Sequence, residues 1–261
     1  MGLGYTTCVL FGSQPERNIG TPSSLLSLIR SLLAEPYFQT RLYCHLEYAD
    51  KRGKRLVMKS ALSDKTLETW KEVLSKTTFK SCEFRSESSK SSADPKVFAQ
   101  IIWPWTIDAN GNKRDFGKGA DSCITLAVSR NLVRDEDRYI ALADSMAVAM
   151  RCTFGFMERS RGWGIPLFPG ASLVGDLMDT RWNDVPWKEY LGKYSLSKYI
   201  ARINWINYVT ASHFRDGVRS DNGTATIHSV DRRLCRLQLP ARMMKGNSSL
   251  ESMLRMVPDG S

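Results

Sequence analysis

The chain has 261 residues, 42% of them hydrophobic and 25% charged, enough to bury a full core without disulfide or metal staples. Its formal net charge of +10 favours acidic partners. The excess is spread, with 19 Lys+Arg against 13 Asp+Glu in residues 1–130 and 18 against 14 in residues 131–261, so no basic tail argues for nucleic acid or anionic lipid.

Tyr5 to Phe11 reads as a first buried strand, followed by a polar loop. Thr21-Pro22 then opens a helix, with Thr21 as cap and Pro22 at the first helical position. Leu25, Leu28, Ile29, Leu32 and Leu33 form its apolar stripe, and Pro36 stops it. Arg41 to Tyr48 and Lys54 to Ser60 read as a hairpin around Asp50-Lys51-Arg52-Gly53, which holds the densest basic cluster of the chain. Ser63 or Asp64 caps a second helix that carries Leu67, Trp70 and Leu74 on one face. Lys80 to Arg85 is another strand. Ser86 to Pro95, with five serines, is an exposed loop.

Val97 to Ile107 is apolar and β-branched, and Pro104 within it predicts an edge strand or a bulge. Cys123 to Val128 is a buried strand. Asp135-Glu136-Asp137 opens a third helix, where acidic side chains suit the N-terminal dipole, and Tyr139, Leu142, Ala143, Met146 and Met150 are its buried face. Thr153 to Met157 returns to the sheet. Beyond Gly162, Ala171 to Met178 and Trp187 to Leu191 read as short helices. Ile203 to Val209 is ambiguous between helix and strand. Thr224 to Val230 and Arg236 to Leu239 form a closing hairpin around Asp231-Arg232, and a short helix is expected near Leu250 to Met256. This order predicts one α+β domain over residues 1–261, with a largely antiparallel sheet and helices packed against it. The two strand–strand–helix groups echo each other without a clear sequence repeat.

The six cysteines show no CxxC spacing. Cys8, Cys44 and Cys123 sit in apolar runs and read as reduced, buried thiols, which suits a reducing, cytoplasmic compartment. No stretch approaches the ~20 apolar residues of a membrane span, and no basic segment followed by an apolar one marks a secretory signal. The three histidines form no metal pattern, and no cofactor fingerprint is present. His45 follows Cys44 directly, so in a strand the two side chains face opposite sides. Ser212, His213 and Asp216 supply hydrolase residue types without hydrolase spacing, and the plainer reading of His213 is a surface histidine near a helix end. Trp103 and Trp105 flank Pro104, with few basic residues nearby to make a base-stacking platform.

Four of the seven tryptophans fall between Trp163 and Trp205. Arginine stands near tryptophan twice, in Arg159-Ser160-Arg161-Gly162-Trp163 and in Thr180-Arg181-Trp182, and both types are enriched at interface hot spots. The tryptophans divide into two roles. Trp205, with Ile203 and Ile206, closes the core; Arg161, Trp163, Arg181, Trp182, Trp187 and Lys188 are the candidate partner-binding residues.

The strand Cys123 to Val128 and its helix lead into Gly162-Trp163-Gly164-Ile165-Pro166, and Trp205-Ile206-Asn207-Tyr208 follows. In this layout, over about the second half of the chain up to Phe214, the sequence resembles bacterial immunity proteins that neutralise toxins of type VI and related polymorphic secretion systems. The resemblance implies a non-enzymatic cytoplasmic protein, without cofactor or metal, that binds one cognate toxin. The basic charge suits a toxin that is acidic on its contact face. The alternatives are a basic nucleic-acid-binding module, and an enzyme of unrecognised type using His213, Asp216 and Cys152.

Overall fold

The computed structural model describes residues 4–12, 22–86, 95–102, 105–107, 113–115, 122–160, 200, 205–216, 225–240 and 253–255. Twelve strands lie among them: β1 (Tyr5–Gly12), β2 (Leu42–Ala49), β3 (Arg55–Ala61), β4 (Thr78–Ser86), β5 (Val97–Ile102), β6 (Trp105–Ile107), β7 (Lys113–Asp115), β8 (Ser122–Ser129), β9 (Cys152–Ser160), β10 (Ile206–Thr210), β11 (Thr226–Ser229) and β12 (Leu234–Gln238). The helices are α1 (Pro22–Leu33), α2 (Asp64–Leu74) and α3 (Glu136–Ala149). Ten strands form one sheet in the order β11-β12-β10-β9-β1-β8-β5-β4-β2-β3, and every neighbouring pair is antiparallel. The α+β layout is therefore present in a sheet-dominated form. The strands β6 and β7 pair separately.

Local chemistry accounts for the helix starts. The Ser63 hydroxyl accepts the Thr66 N–H at 3.2 Å and caps α2, which buries Leu67, Trp70 and Leu74 at helical spacing. The Asp135 carboxylate accepts the Arg138 N–H at 3.0 Å and caps α3, with Glu136 and Asp137 in its first turn. The β2–β3 turn is held by Asp50, whose Oδ1 accepts the N–H groups of Arg52 (2.8 Å) and Lys54 (2.9 Å). Gly53 there adopts φ 78°, a conformation that favours glycine.

All three helices cover one face of the sheet. Leu25, Ile29, Leu67, Trp70, Tyr139 and Met146 pack with sheet residues such as Leu46, Phe84, Ile101, Ile124 and Leu126 in a single core. The Tyr139 hydroxyl reaches the main-chain carbonyl oxygens of Thr6 (3.2 Å) and Leu126 (3.3 Å), which ties α3 to β1 and β8. Cys8, Cys44, Cys82, Cys123 and Cys152 are buried free thiols. Trp205 is buried in the same core, as its apolar neighbours suggested.

The topology contains an internal echo that differs from the sequence grouping. The strands β3 and β4 both run antiparallel to β2, lie on either side of it, and are joined by α2. The strands β8 and β9 stand in the same relation to β1 and are joined by α3. In sequence, β5 looked like the companion of β8 in the second unit; spatially its centre is β1, the first strand of the chain. Of the two readings of Val97 to Ile107, an edge strand or a bulge at Pro104, the edge is overturned. β5 lies inside the sheet between β4 and β8, because it ends at Ile102 and Pro104 falls beyond its last ladder position. Ile206 to Thr210 resolves as strand, since β10 pairs on both sides, with β9 and β12. Leu254, expected in a terminal helix, makes a β-bridge to Phe214. The two expected helices between residues 171 and 191 lie outside the described residues.

Candidate functional site

The face of the sheet opposite the helices has two unlike halves. Over β1, β9, β10 and β12 it is apolar and covered: Val9, Phe11, Phe154, Phe156, Val209 and Leu237 cluster with Ile200, Phe214 and Leu254. Main-chain bonds hold this cover in place, from Ile200 N–H to Arg255 O (2.9 Å), Arg215 N–H to Met253 O (3.0 Å) and Arg255 N–H to His213 O (2.7 Å). Over β3, β2, β4 and β5 the same face carries alternating polar side chains and grows more exposed toward the β3 edge.

The strand register lines these open-half residues into rows. Lys59, His45, Glu83, Gln100 and Thr125 are successive cross-strand partners on β3, β2, β4, β5 and β8. The next row holds Ala61, Tyr43, Arg85 and Phe98, and the row on the other side holds Val57, Glu47 and Ser81. Tyr43 and Val57 are 43% and 45% exposed, among the large apolar side chains that face solvent.

The charges of this half are tuned by their neighbours. Arg55 grips Glu47 through two nitrogens, at 2.6 and 2.7 Å. Burial pushes the Glu83 carboxyl above its ordinary value, and Arg85 and Lys59 partly offset this. Burial and then Lys59 push the His45 imidazole below its ordinary value, with Glu47 acting the other way. The buried Nε2 of His45 has no hydrogen-bond partner among the described residues. The row offers donors, acceptors and charge for binding. Among the described residues, no group of three or more His, Cys, Asp or Glu side chains is placed to hold a metal ion.

A second polar cluster lies on the helix side. Asp144 of α3 accepts the Tyr208 hydroxyl at 2.8 Å and pairs with Arg236. Burial raises the Asp144 carboxyl, opposed by the Tyr208 bond, Arg236 and His228. Nearby, Arg159 pairs with Glu136 and lies 4.1 Å from the centroid of the Trp205 ring. These contacts clamp α3 to β9, β10 and β12. Cation–π stacking on Arg159 gives Trp205 a polar neighbour as well as a core.

Arg161, Trp163, Arg181, Trp182, Trp187 and Lys188 lie outside the described residues, as does Trp103. Of the residues that suggested an enzyme, His213 and Cys152 are buried and Asp216 is exposed. His213 is fully buried, which overturns the reading of a surface histidine. Its Nδ1 accepts the Thr210 N–H at 3.0 Å, and its ring packs 5.9 Å from Phe154. The Ser212 hydroxyl pairs with Thr210 Oγ1 at 2.7 Å, and Asp216 is exposed. The Cys152 thiol is buried and donates to the Phe154 carbonyl at 3.0 Å. Cys44 faces the helices and His45 the open half, as strand alternation requires. Sequence reasoning missed the open half as a surface. Its signal was the alternation Tyr43, His45, Glu47 against Leu42, Cys44, Leu46, which marks a sheet face left to solvent.

No protein-family model and no curated protein matches the chain. Among solved structures it is similar to the Pseudomonas aeruginosa T6SS protein PA0821, at 12% sequence identity and a TM-score of 0.51, with 97% of this chain and 69% of that chain covered. At that identity the likeness is one of fold, and it spans both halves of the ten-stranded sheet. Among the described residues, no helix is long and apolar enough to cross a membrane.

Proposed function

We propose that this chain is a cytoplasmic immunity protein that binds a cognate secreted toxin and blocks it, without catalysis, cofactor or metal. The observation that carries the reading is the likeness to a T6SS protein across 97% of the chain, reached independently of the local motifs that suggested the same system. The half-open sheet supports it, since a buried core holds the fold while, among the described residues, the face near β3 presents the exposed side chains of Tyr43, Val57 and Lys59. The partner-binding roles of Arg161, Trp163, Arg181, Trp182, Trp187 and Lys188 belong to this proposal. So does the acidic contact face of the toxin, which suits a chain of net charge +10.

The test is co-expression of the chain with the products of the genes that flank its own. A stable complex on gel filtration and restored growth of the toxin-expressing host are expected. Undiminished toxicity with no complex would end the proposal. Trp182→Ala is expected to weaken the complex at least tenfold, the scale of a hot-spot truncation, and to leave the melting temperature nearly unchanged.

A further inference from the structure

One edge of the sheet is unfinished. The bond from Asp50 N–H to Lys54 O (3.0 Å) and that from Leu62 N–H to Leu42 O (2.9 Å) fix the ladder phase of the β2–β3 hairpin. In that phase Leu56, Met58 and Ser60 face β2 with their main-chain groups, opposite Tyr48, Leu46 and Cys44. Arg55, Val57 and Lys59 consequently point their N–H and C=O groups outward, and β3 is the last strand of the sheet on that side. The strand is seven residues long, keeps register with β2 without a bulge, and contains no proline. The opposite edge, β11, has four residues. Among the described residues, the usual protections of a long edge are thus missing from β3, apart from charge.

That charge has one sign. Lys51, Arg52, Lys54, Arg55 and Lys59 are all exposed along the turn and the strand. The nearby carboxylates are engaged, Asp50 by the turn N–H groups and Glu47 by Arg55. The side chains of Arg55, Val57 and Lys59 lie on the open face, with the apolar group between the two cations. We propose that β3 receives an extended, acidic segment of a partner protein as an eleventh strand. The segment carries carboxylates opposite Arg55 and Lys59 and an apolar residue opposite Val57. Resting on the reading of the chain as a protein-binding inhibitor, this assigns the partner's chemistry and its mode of docking. Alternating main-chain donors and acceptors suit a peptide strand. A nucleic-acid backbone would meet outward carbonyls as well as cations.

The probe is a seven-residue peptide with glutamate at its second and sixth positions, valine at its fourth and threonine elsewhere. Amide hydrogen exchange at Val57 and Lys59 is expected to slow when it is added, and binding to weaken as salt rises. A peptide with lysine in place of glutamate is expected to bind about tenfold more weakly, two cross-strand ion pairs having become repulsions. Val57→Pro removes an outward N–H and is expected to abolish binding while keeping the melting profile, since proline is tolerated on an edge. Lys59→Glu is expected to lower affinity for the glutamate peptide and to raise it for the lysine peptide, which keeps the test decisive should Val57→Pro fail to fold. Three outcomes would overturn the proposal: no protection at Val57 and Lys59, the same protection from a single-stranded oligonucleotide, or protection without peptide from pairing of two copies of the chain. None of these readouts depends on toxin neutralisation, so the strand-addition proposal and the immunity reading can fail separately.

Discussion

Lys59, His45, Glu83, Gln100 and Thr125 share one row of one sheet face with Val9, Phe156, Asn207, Leu237 and Ile227. The row crosses all ten strands with unbroken register, yet its ends meet different surroundings. Phe156 and Leu237 are buried beneath the segments that carry Ile200, Phe214 and Leu254, while Lys59 is exposed and His45 half-buried. The ladder is the same throughout, so backbone pairing does not distinguish the halves. The side chains do: one end buries apolar area and contributes stability, and the other carries Lys59 into water, where its charge contributes little to stability and is available to a partner.

The sharpest way to break this comparison is to truncate one side chain in each half of the row. Phe156→Ala is expected to destabilise the chain by about 4 kcal/mol in urea unfolding, and Gln100→Ala by less than about 0.5 kcal/mol. Comparable losses would mean that the open half is as integral to the core as the covered half. Asp144→Ala comes next. It leaves the Arg236 guanidinium and the Tyr208 hydroxyl without their shared carboxylate, for a loss of about 2 kcal/mol, and hydrogen exchange should rise first in α3 and β12. Ser63→Ala removes the α2 cap that braces the open half, for about 1 kcal/mol by thermal unfolding.

The smallest effect is a pH dependence. The Glu83 carboxyl binds its proton more tightly in the folded chain than in the unfolded one, because burial raises it. Its contribution is therefore fully present below the unfolded carboxylate pKa and is lost as pH rises through the folded one. Glu83→Gln is expected to gain stability relative to the parent at neutral pH and to lose that advantage in acid. A gain that persists unchanged in acid would show that Glu83 ionisation is not its source.

Much of the ladder was legible because short-range chemistry dictates it. The alternation in Leu42 to Ala49, the Asp50–Gly53 turn, the Ser63 and Asp135 caps and the spacing of Leu67, Trp70 and Leu74 each act within a few residues. The errors share one cause. Pro104 was read as part of the strand before it, His213 as solvent-facing, and Leu254 as helical, because the partners that decide them are distant in sequence. Those partners are β4 and β8 flanking β5, Phe154 packed against His213, and Phe214 bridging Leu254. The partner-surface residues from Arg161 to Lys188 were singled out by residue type, and the open half emerged only from strand order.

The sequence by itself determined the three helices and most of the strands, the thiol character of the cysteines and the burial of Trp205, since all follow from local periodicity and from the dislike of large apolar groups for water. Tertiary structure alone decided that β1 is inserted between β8 and β9, and that β3 is left as an edge. Strand order depends on which distant apolar faces bury most area together, and no window of neighbouring residues records that sum.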